Sequence, residues 1–429
     1  MRRRGAVRWC VAAGAAVGLT VTACNRQPPA GQAPAFNPAP SAPVTTMAAG
    51  PFADDLAFLK QHTSVVVLTG AGGAQVVVGP AYQGRVLTST TGGADAPSFG
   101  WLGREAIASR SYQPHMNVFG GEDRFWLGPE GGQYALYFKP GDPFDLAHWQ
   151  TPAPFDWDPW DISEQAAGKV RFRKHMALVN YAGTHFSIDV DRTVRLLTAD
   201  EATTVLGTLP DAVHLVAFES ANTVTNAGAE GWTPKSGLVS IWILGQFLPT
   251  PATTIAIPFA PGPESTLGPI VNDAYFGKVP GDRLVTTADA ILFKADGQYR
   301  AKIGVPPART LGVAGSYDAS RRVLTIVQFT RQEGRRDYVN SMWELQPEPF
   351  KGDALNSYND GPPGPGQKPL GPFYELESSS PALALEPGQG YTHVHRTFHL
   401  TGPDASLDAI ARHTLKIGLP GITGAFIPK

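Results

Sequence analysis

The chain has 429 residues, of which 35 are basic and 37 are acidic, so its formal net charge at neutral pH is -2. With only 17% charged residues, the composition excludes a polybasic nucleic-acid-binding protein and argues against an acidic disordered one. Hydrophobic residues make up 42% of the chain, and 47 glycines with 39 prolines favour many tight turns. We therefore expect a β-rich globular protein.

The N-terminus has the pattern of a secretory signal. Arg2 to Arg4 form a cationic start, and an apolar stretch of roughly a dozen residues follows, too short to span a bilayer stably. The stretch ends in Val21-Thr22-Ala23-Cys24, which resembles a bacterial lipobox. The sequence predicts a lipoprotein signal peptide over 1–24 and lipid attachment at Cys24. The protein would then be anchored in the bacterial cell envelope, at the outer membrane or the periplasmic face. The alternative is an ordinary signal peptide cut near Ala23.

Residues 25–50 contain six prolines and seven alanines and no acidic residue. A segment of this composition cannot build a core, so it is predicted to be an extended tether between the membrane and the folded part. No second linker of comparable length follows. We therefore expect a single domain over 51–429.

Within this domain a short amphipathic helix is predicted over 54–61. Alternation of apolar and polar residues, clearest at 170–179 and 186–190, then predicts half-buried antiparallel strands. The strand candidates are 65–68, 75–78, 85–89, 134–138, 170–179, 186–190, 214–220, 238–247, 253–259, 283–294, 299–305, 311–317, 323–330, 339–345, 373–379 and 391–400. Asp296-Gly297 indicates a type I′ hairpin, and Asp318 to Ser320 indicates another turn.

The C-terminus has apolar residues at helical spacing from Leu407 to Leu415, with Ser406 as a candidate cap. So many strands with so few helices exclude a parallel α/β sheet, and the lack of a repeat near 40–50 residues excludes a propeller. We predict an all-β fold, a large antiparallel two-layer β-sandwich with a short C-terminal helix.

Three segments resemble galactose mutarotase-like proteins. The glycine-rich run from Asn117 to Gly132 is similar to their early segment. Asn222 to Asn226, followed by strand 238–247, is similar to their central segment. Phe373 to Pro381 is similar to their late strand, which carries a catalytic glutamate. The resemblance implies the large supersandwich of the aldose 1-epimerase-like proteins, in a bacterial lipoprotein branch that acts on or binds sugars. The His-Pro-Tyr that carries the general acid of mutarotases is missing.

Glu375 and Glu377 alternate with Tyr374 and Leu376, so their carboxylates share one side of a strand, with Cα atoms about 6.5–7 Å apart. Two such carboxylates can act as a general base and an orienting group for a sugar hydroxyl. Glu377 precedes a Ser-Ser-Ser-Pro turn and is the preferred base. The alternative is a solvated strand face.

His393, His395 and His399 also share one face of a predicted strand. The first two are close enough to reach one ion, so they are candidate ligands of a divalent metal, although no cofactor is firmly predicted. They are also candidates, favoured over metal binding, for contact with a sugar or, with His115, for the general acid. The remaining alternative is that they are ordinary strand residues.

The segment 112–132 and the tryptophan-rich loop after it offer polar and aromatic groups that suit sugars. The predicted substrate-binding residues are Asn117, Glu122, Asp123, Arg124, Trp126, Glu130 and Trp157. The alternatives are a turn whose charges pair internally, and tryptophans that cap the core.

Nucleophile elbow, zinc-helix, phosphate-loop and calcium-loop motifs are absent. The sequence thus favours an envelope lipoprotein that acts on a carbohydrate, through an epimerase- or mutarotase-type reaction or as a lyase or hydrolase, with a Glu/His acid–base pair. The alternative is a non-catalytic glycan-binding lipoprotein.

Overall fold

The computed structural model describes residues 50–427. The predicted signal peptide, Cys24 and all of the tether except its last residue lie outside this range. Within it, no helix combines the length and the apolar character that a membrane crossing needs.

The described residues form six α-helices and eighteen β-strands. The helices are α1 Phe52–His62, α2 Arg104–Ser109, α3 Ala199–Leu206, α4 Glu264–Leu267, α5 Asp404–Leu415 and α6 Leu419–Thr423. The strands are β1 Val66–Thr69, β2 Gln75–Gly79, β3 Arg85–Thr90, β4 Arg124–Gly128, β5 Asp161–Ala166, β6 Lys169–Val179, β7 His185–Leu196, β8 His214–Asn226, β9 Ser240–Phe247, β10 Thr253–Pro258, β11 Leu284–Thr286, β12 Ala290–Lys294, β13 Ala301–Val305, β14 Val313–Asp318, β15 Val323–Phe329, β16 Leu355–Asn359, β17 Tyr374–Ser379 and β18 Gly390–Thr401.

These strands form three sheets. A ten-stranded sheet has the order β11-β12-β10-β14-β15-β18-β8-β7-β6-β5, a five-stranded sheet has the order β13-β16-β17-β9-β4, and β1-β2-β3 form a small third sheet. The five-stranded sheet packs on the ten-stranded one, and side chains of both fill a shared apolar core. The predicted all-β antiparallel sandwich is therefore confirmed.

The helices α3, α5 and α6 cover part of the opposite face of the ten-stranded sheet. Leu407 and Ile410 of α5 are buried there against Leu324 and Phe398 of the sheet. The predicted C-terminal helix is thus present, although it begins at Asp404, before the predicted cap at Ser406.

Some predicted elements are wrong. Asp296-Gly297 does not close a hairpin, because β12 belongs to the ten-stranded sheet and β13 to the five-stranded one. The chain crosses between sheets at this point. Residues 134–138 and 339–345 form turns and loops instead of strands, and the glycine-rich segment, expected to be a loop, contains β4.

Candidate functional site

The strand β17 separates the interior of the sandwich from a cleft. Leu376 lies in the core, and the Ser378 hydroxyl lies 2.8 Å from both His393 Nε2 and His395 Nδ1 of the opposite sheet. Side chains alternate along a strand, so Glu375 and Glu377 face the other way. The shared face predicted for the two glutamates is therefore present, and it points away from the ten-stranded sheet.

The antiparallel register brings side chains of all five strands of the smaller sheet to this face. Glu375 is opposite both Gln246 of β9 and Tyr358 of β16, and Tyr358 is opposite Lys302 of β13. Trp126 of β4 is opposite Trp242 of β9. Together with loop residues they enclose about 870 Å³, part of it open to solvent.

The wall of the cleft is largely aromatic. The Trp126 ring lies 5.5 Å from Trp242 and 6.1 Å from Trp149, and Trp149 lies 6.4 Å from Trp343, all measured between ring centroids. The indole nitrogens of Trp126 and Trp149 are buried and have no hydrogen-bond partner among the described residues. Aromatic faces with free N–H donors suit a ligand that has both apolar faces and hydroxyl groups.

Glu375 places a carboxyl group on the floor of the cleft. Its Oε1 accepts hydrogen bonds from Arg124 at 2.5 Å and from Gln246 at 2.9 Å. Burial raises the pKa of Glu375 to about 7, because loss of water outweighs the attraction of Arg124, and the neighbouring Glu377 adds to the rise. This carboxyl can therefore gain or lose a proton near neutral pH.

Glu377 lies deeper, with only 1% of its surface exposed. Its Oε2 accepts hydrogen bonds from Trp242 Nε1 at 2.9 Å and from Lys302 Nζ at 3.2 Å. Burial alone would lower the pKa of Lys302, but the carboxylates of Glu377, Glu130 and Glu375 raise it above its ordinary value. Glu375 lines the cleft, whereas the preferred base Glu377 does not.

Two further carboxyl groups line the cleft. Burial raises the pKa of Glu130, with Lys302 opposing the rise. Burial also raises the pKa of Asp360 to about 6, although its oxygens accept hydrogen bonds from the Tyr358 hydroxyl and the Gly371 N–H, both at 2.8 Å.

The structure brings five of the predicted site residues to the cleft. They are Asn117, Arg124, Trp126, Glu130 and Glu375. Arg124 and Trp126 project from β4, and the Arg124 guanidinium lies 4.7 Å from the Trp126 ring centroid. Asn117 is fixed by hydrogen bonds to the backbone of Gln113 and to Asp156.

Other predicted residues lie in the interior instead. Glu122 lies two residues before Arg124, outside β4, and accepts hydrogen bonds from Ser89 and His399 away from the cleft. Asp123 forms a fully buried ion pair with Arg192 at 2.7 Å. Glu122 is thus hydrogen-bonded and Asp123 ion-paired in the interior, and neither side chain lines the cleft.

Trp157 and His115 are also outside the lining of the cleft. Trp157 stacks on Tyr112, with 5.0 Å between ring centroids, in a separate surface groove. His115 precedes the lining residue Met116, but its Nδ1 is hydrogen-bonded to the backbone oxygen of Trp149.

His393 and His395 share one face as predicted, but that face is the core between the sheets. Both are fully buried, and burial lowers the pKa of His393 to about 3 and that of His395 to about 4. Their ring nitrogens converge on the Ser378 hydroxyl. Within residues 50–427 no three His, Cys, Asp or Glu side chains form a group that could hold a metal ion.

The sequence interpretation missed several lining residues, including Trp149, Trp242, Gln246, Arg300, Lys302, Trp343 and Asp360. One signal was readable: Lys302 is a charged residue inside the otherwise apolar strand Ala301–Val305, and it is only 7% exposed. A charge in such a position needs a partner.

The fold and the cleft define a β-sandwich protein with a ligand-sized cleft on the free face of its smaller sheet. A protein-family model described as "Family of unknown function (DUF6786)" matches residues 50–426. The chain belongs to this family. The comparison with curated protein sequences gives no match.

Among solved structures, the chain is similar to the Slr1438 protein from Synechocystis sp. PCC 6803, with 15% identity and a TM-score of 0.45 over 80% of this chain and 96% of that one. It is similar to a galactose mutarotase-like protein from Lactobacillus casei ATCC 334, with 12% identity and a TM-score of 0.44 over 79% and 100%. A galactose mutarotase related enzyme from Lactobacillus acidophilus shows 10% identity and a TM-score of 0.40 over 79% and 97%. The two Lactobacillus proteins are described as galactose mutarotase-like and galactose mutarotase related.

Proposed function

We propose that the cleft binds a carbohydrate and that Glu375 transfers a proton to and from a sugar hydroxyl. The observation that carries the proposal is a buried carboxyl with a pKa of about 7 on the floor of a tryptophan-walled cleft. Tryptophan faces pack against the C–H faces of a pyranose, while the charged groups bind its hydroxyls. A proton acceptor works best when its pKa is near the working pH.

The reaction that fits best is interconversion of the two anomers of an aldose. Ionised Glu375 takes the proton of the anomeric hydroxyl, the bond between C1 and the ring oxygen breaks, and the ring oxygen takes a proton from a second carboxyl. Glu130 is our candidate donor, because it lines the cleft and burial raises its pKa. Ring closure on the other face of the aldehyde reverses both transfers. A Glu/Glu pair thus replaces the predicted Glu/His pair.

The test is exchange spectroscopy by NMR on free aldoses with catalytic amounts of the protein, alongside calorimetric titration of the same sugars. Glu375→Gln should abolish the acceleration of anomer exchange and keep the affinity within about tenfold, or about 1.4 kcal/mol. Glu386→Gln is the matched control, because Glu386 is exposed and outside the cleft. Full activity of Glu375→Gln would remove Glu375 from the mechanism.

One observation favours a second candidate, a glycan-binding protein without catalysis. Arg124 and Gln246 both bind Oε1 of Glu375, so part of the carboxylate is already engaged. In that case sugars bind to the wild-type protein, and anomer exchange proceeds at its spontaneous rate.

We also propose that the protein is a lipoprotein of the bacterial cell envelope, anchored through Cys24. The sequence Val21-Thr22-Ala23-Cys24 and the proline-rich segment after it support this. Metabolic labelling with a palmitate analogue and membrane fractionation test it. Cys24→Ala should lose both the label and the membrane association, and a labelled Cys24→Ala variant would contradict the assignment.

A further inference from the structure

Arg300 differs from the other cations of the cleft. Arg124 is paired with Glu375 at 2.5 Å, and Lys302 with Glu377 at 3.2 Å. Arg300 also lines the cleft, yet its guanidinium forms neither an ion pair nor a hydrogen bond with any side chain or backbone group of residues 50–427. The cleft therefore presents one guanidinium whose donors are available to a ligand.

The nearby acidic side chains do not form an ion pair with the Arg300 guanidinium. The charge of Arg300 opposes the rise in the pKa of Asp360. The Oδ1 of Asp360, however, accepts a hydrogen bond from the Tyr358 hydroxyl, and its Oδ2 accepts one from the Gly371 N–H. Glu130 also lines the cleft but forms no ion pair among the described residues. Neither group neutralises the guanidinium by direct contact.

An aromatic ring packs against this guanidinium. The Cζ atom of Arg300 lies 3.8 Å from the ring centroid of Phe276. A guanidinium stacked on a ring keeps its N–H donors in its own plane, where two of them can bind both oxygens of a carboxylate. Phe276 is 37% exposed and stands with Leu370 and Leu146 among the lining residues, so the donors lie beside an apolar rim.

We propose that the ligand is an acidic saccharide and that Arg300 binds its carboxylate, as in a uronic acid unit. This inference rests on the proposed carbohydrate function and narrows its substrate class. The tryptophan wall would hold the sugar ring, and the guanidinium would distinguish a uronate from the corresponding neutral sugar. An ion pair beside the apolar rim is screened less by water than one on an open surface.

Calorimetric titration of the full chain with methyl galacturonoside, its neutral methyl ester and methyl galactoside tests this inference. Methyl glycosides are used because their anomeric centre is fixed, so binding is measured without turnover. We expect the uronate to bind at least about tenfold more tightly than either neutral sugar, about 1.4 kcal/mol. Added salt should reduce this preference. The same titrations with glucuronosides separate the carboxylate effect from the identity of the sugar.

In Arg300→Gln the ratio of the affinity for the uronate to that for the neutral sugars should fall to about one. In Phe276→Leu this ratio should lie between one and the wild-type value. Arg322→Gln is the matched control and should keep the preference, because Arg322 is exposed in the turn between β14 and β15. Equal binding of acidic and neutral sugars by the wild type would refute the role of Arg300 and leave the carbohydrate function standing. Tighter binding of galactose 6-phosphate than of galacturonoside would overturn the assignment to a carboxylate. If no sugar bound at all, the proposed function itself would fail.

Discussion

Removal of the Lys302 charge should lower the free energy of unfolding far more than removal of an exposed lysine. Its Nζ lies 3.2 Å from Glu377 Oε2, and both side chains are buried. At that distance the attraction between two unit charges is about 5 kcal/mol with an effective dielectric constant of about 20. Lys302→Met leaves the carboxylate buried without its cation, which costs about 3–5 kcal/mol of the free energy of unfolding.

Urea unfolding, followed by tryptophan fluorescence, measures this cost. With an m-value of about 3 kcal/mol/M, the midpoint should fall by about 1 M or more. The double variant Lys302→Met with Glu377→Gln removes both charges and should recover most of the loss. Lys169→Met is the control, because the Lys169–Glu164 pair is exposed, and it should change stability by at most about 1 kcal/mol.

Two results would refute this reasoning. A loss below about 1 kcal/mol in Lys302→Met would mean that the carboxylate is solvated or protonated without cost. A double variant that loses the sum of both single losses would mean that the two side chains act independently.

Three further perturbations, the last with a control variant, test other parts of the structure. The folded-state pKa of Glu375 is raised from 4.5 to about 7. The contribution of this group to the free energy of unfolding is therefore complete below pH 4.5 and is lost as the pH rises through 7. In urea unfolding across this pH range, Glu375→Gln should show a smaller loss of stability with rising pH than the wild type. Ser378→Ala removes the partner shared by two buried histidine rings and should cost about 1–3 kcal/mol in urea unfolding. A Cβ on Gly103 would lie 1.8 Å from the Val118 carbonyl oxygen, so Gly103→Ala should cost about 1–3 kcal/mol. Gly168→Ala meets no atom within 4 Å and should leave the melting temperature unchanged or slightly higher.

Strands with clear alternation could be predicted from the sequence, because their pattern is local. The segments 170–179 and 373–379 lie within one residue of β6 and β17. Local turn residues were less informative. Asp318 to Ser320 does connect the paired strands β14 and β15, whereas Asp296-Gly297 connects two sheets, because the partner of a strand depends on distant residues.

One local signal was overlooked. Thr198 and Glu201 form a reciprocal capping box at the start of α3, and the Thr-x-x-Glu pattern is readable in the sequence. The helix has only eight residues, and Ala202 and Leu206 are its buried ones. The capping box therefore indicates this helix more clearly than the spacing of its apolar residues does.

The candidate site was only partly predictable. Alternation correctly placed Glu375 with Glu377, and His393 with His395, on shared faces. It could not show which face is enclosed by a second sheet and which faces a cleft. Lys302 and Arg300 come from a part of the chain distant from both pairs. The register of β13 with β16 brings Lys302 to the cleft, and Arg300 directly precedes β13.

The two faces of β17 also restrict how related chains can diverge. Insertion or deletion of one residue within this strand would turn Leu376 and Ser378 into the cleft and bury the carboxylates of Glu375 and Glu377 in the apolar interior. Such a change would damage folding and ligand recognition together. Phe276 and Leu370 lie on loops and have exposed side chains at the rim of the cleft, so substitutions at these two positions can change the rim without altering the interior. New ligand preferences should therefore arise in these loops, while the length of β17 stays fixed.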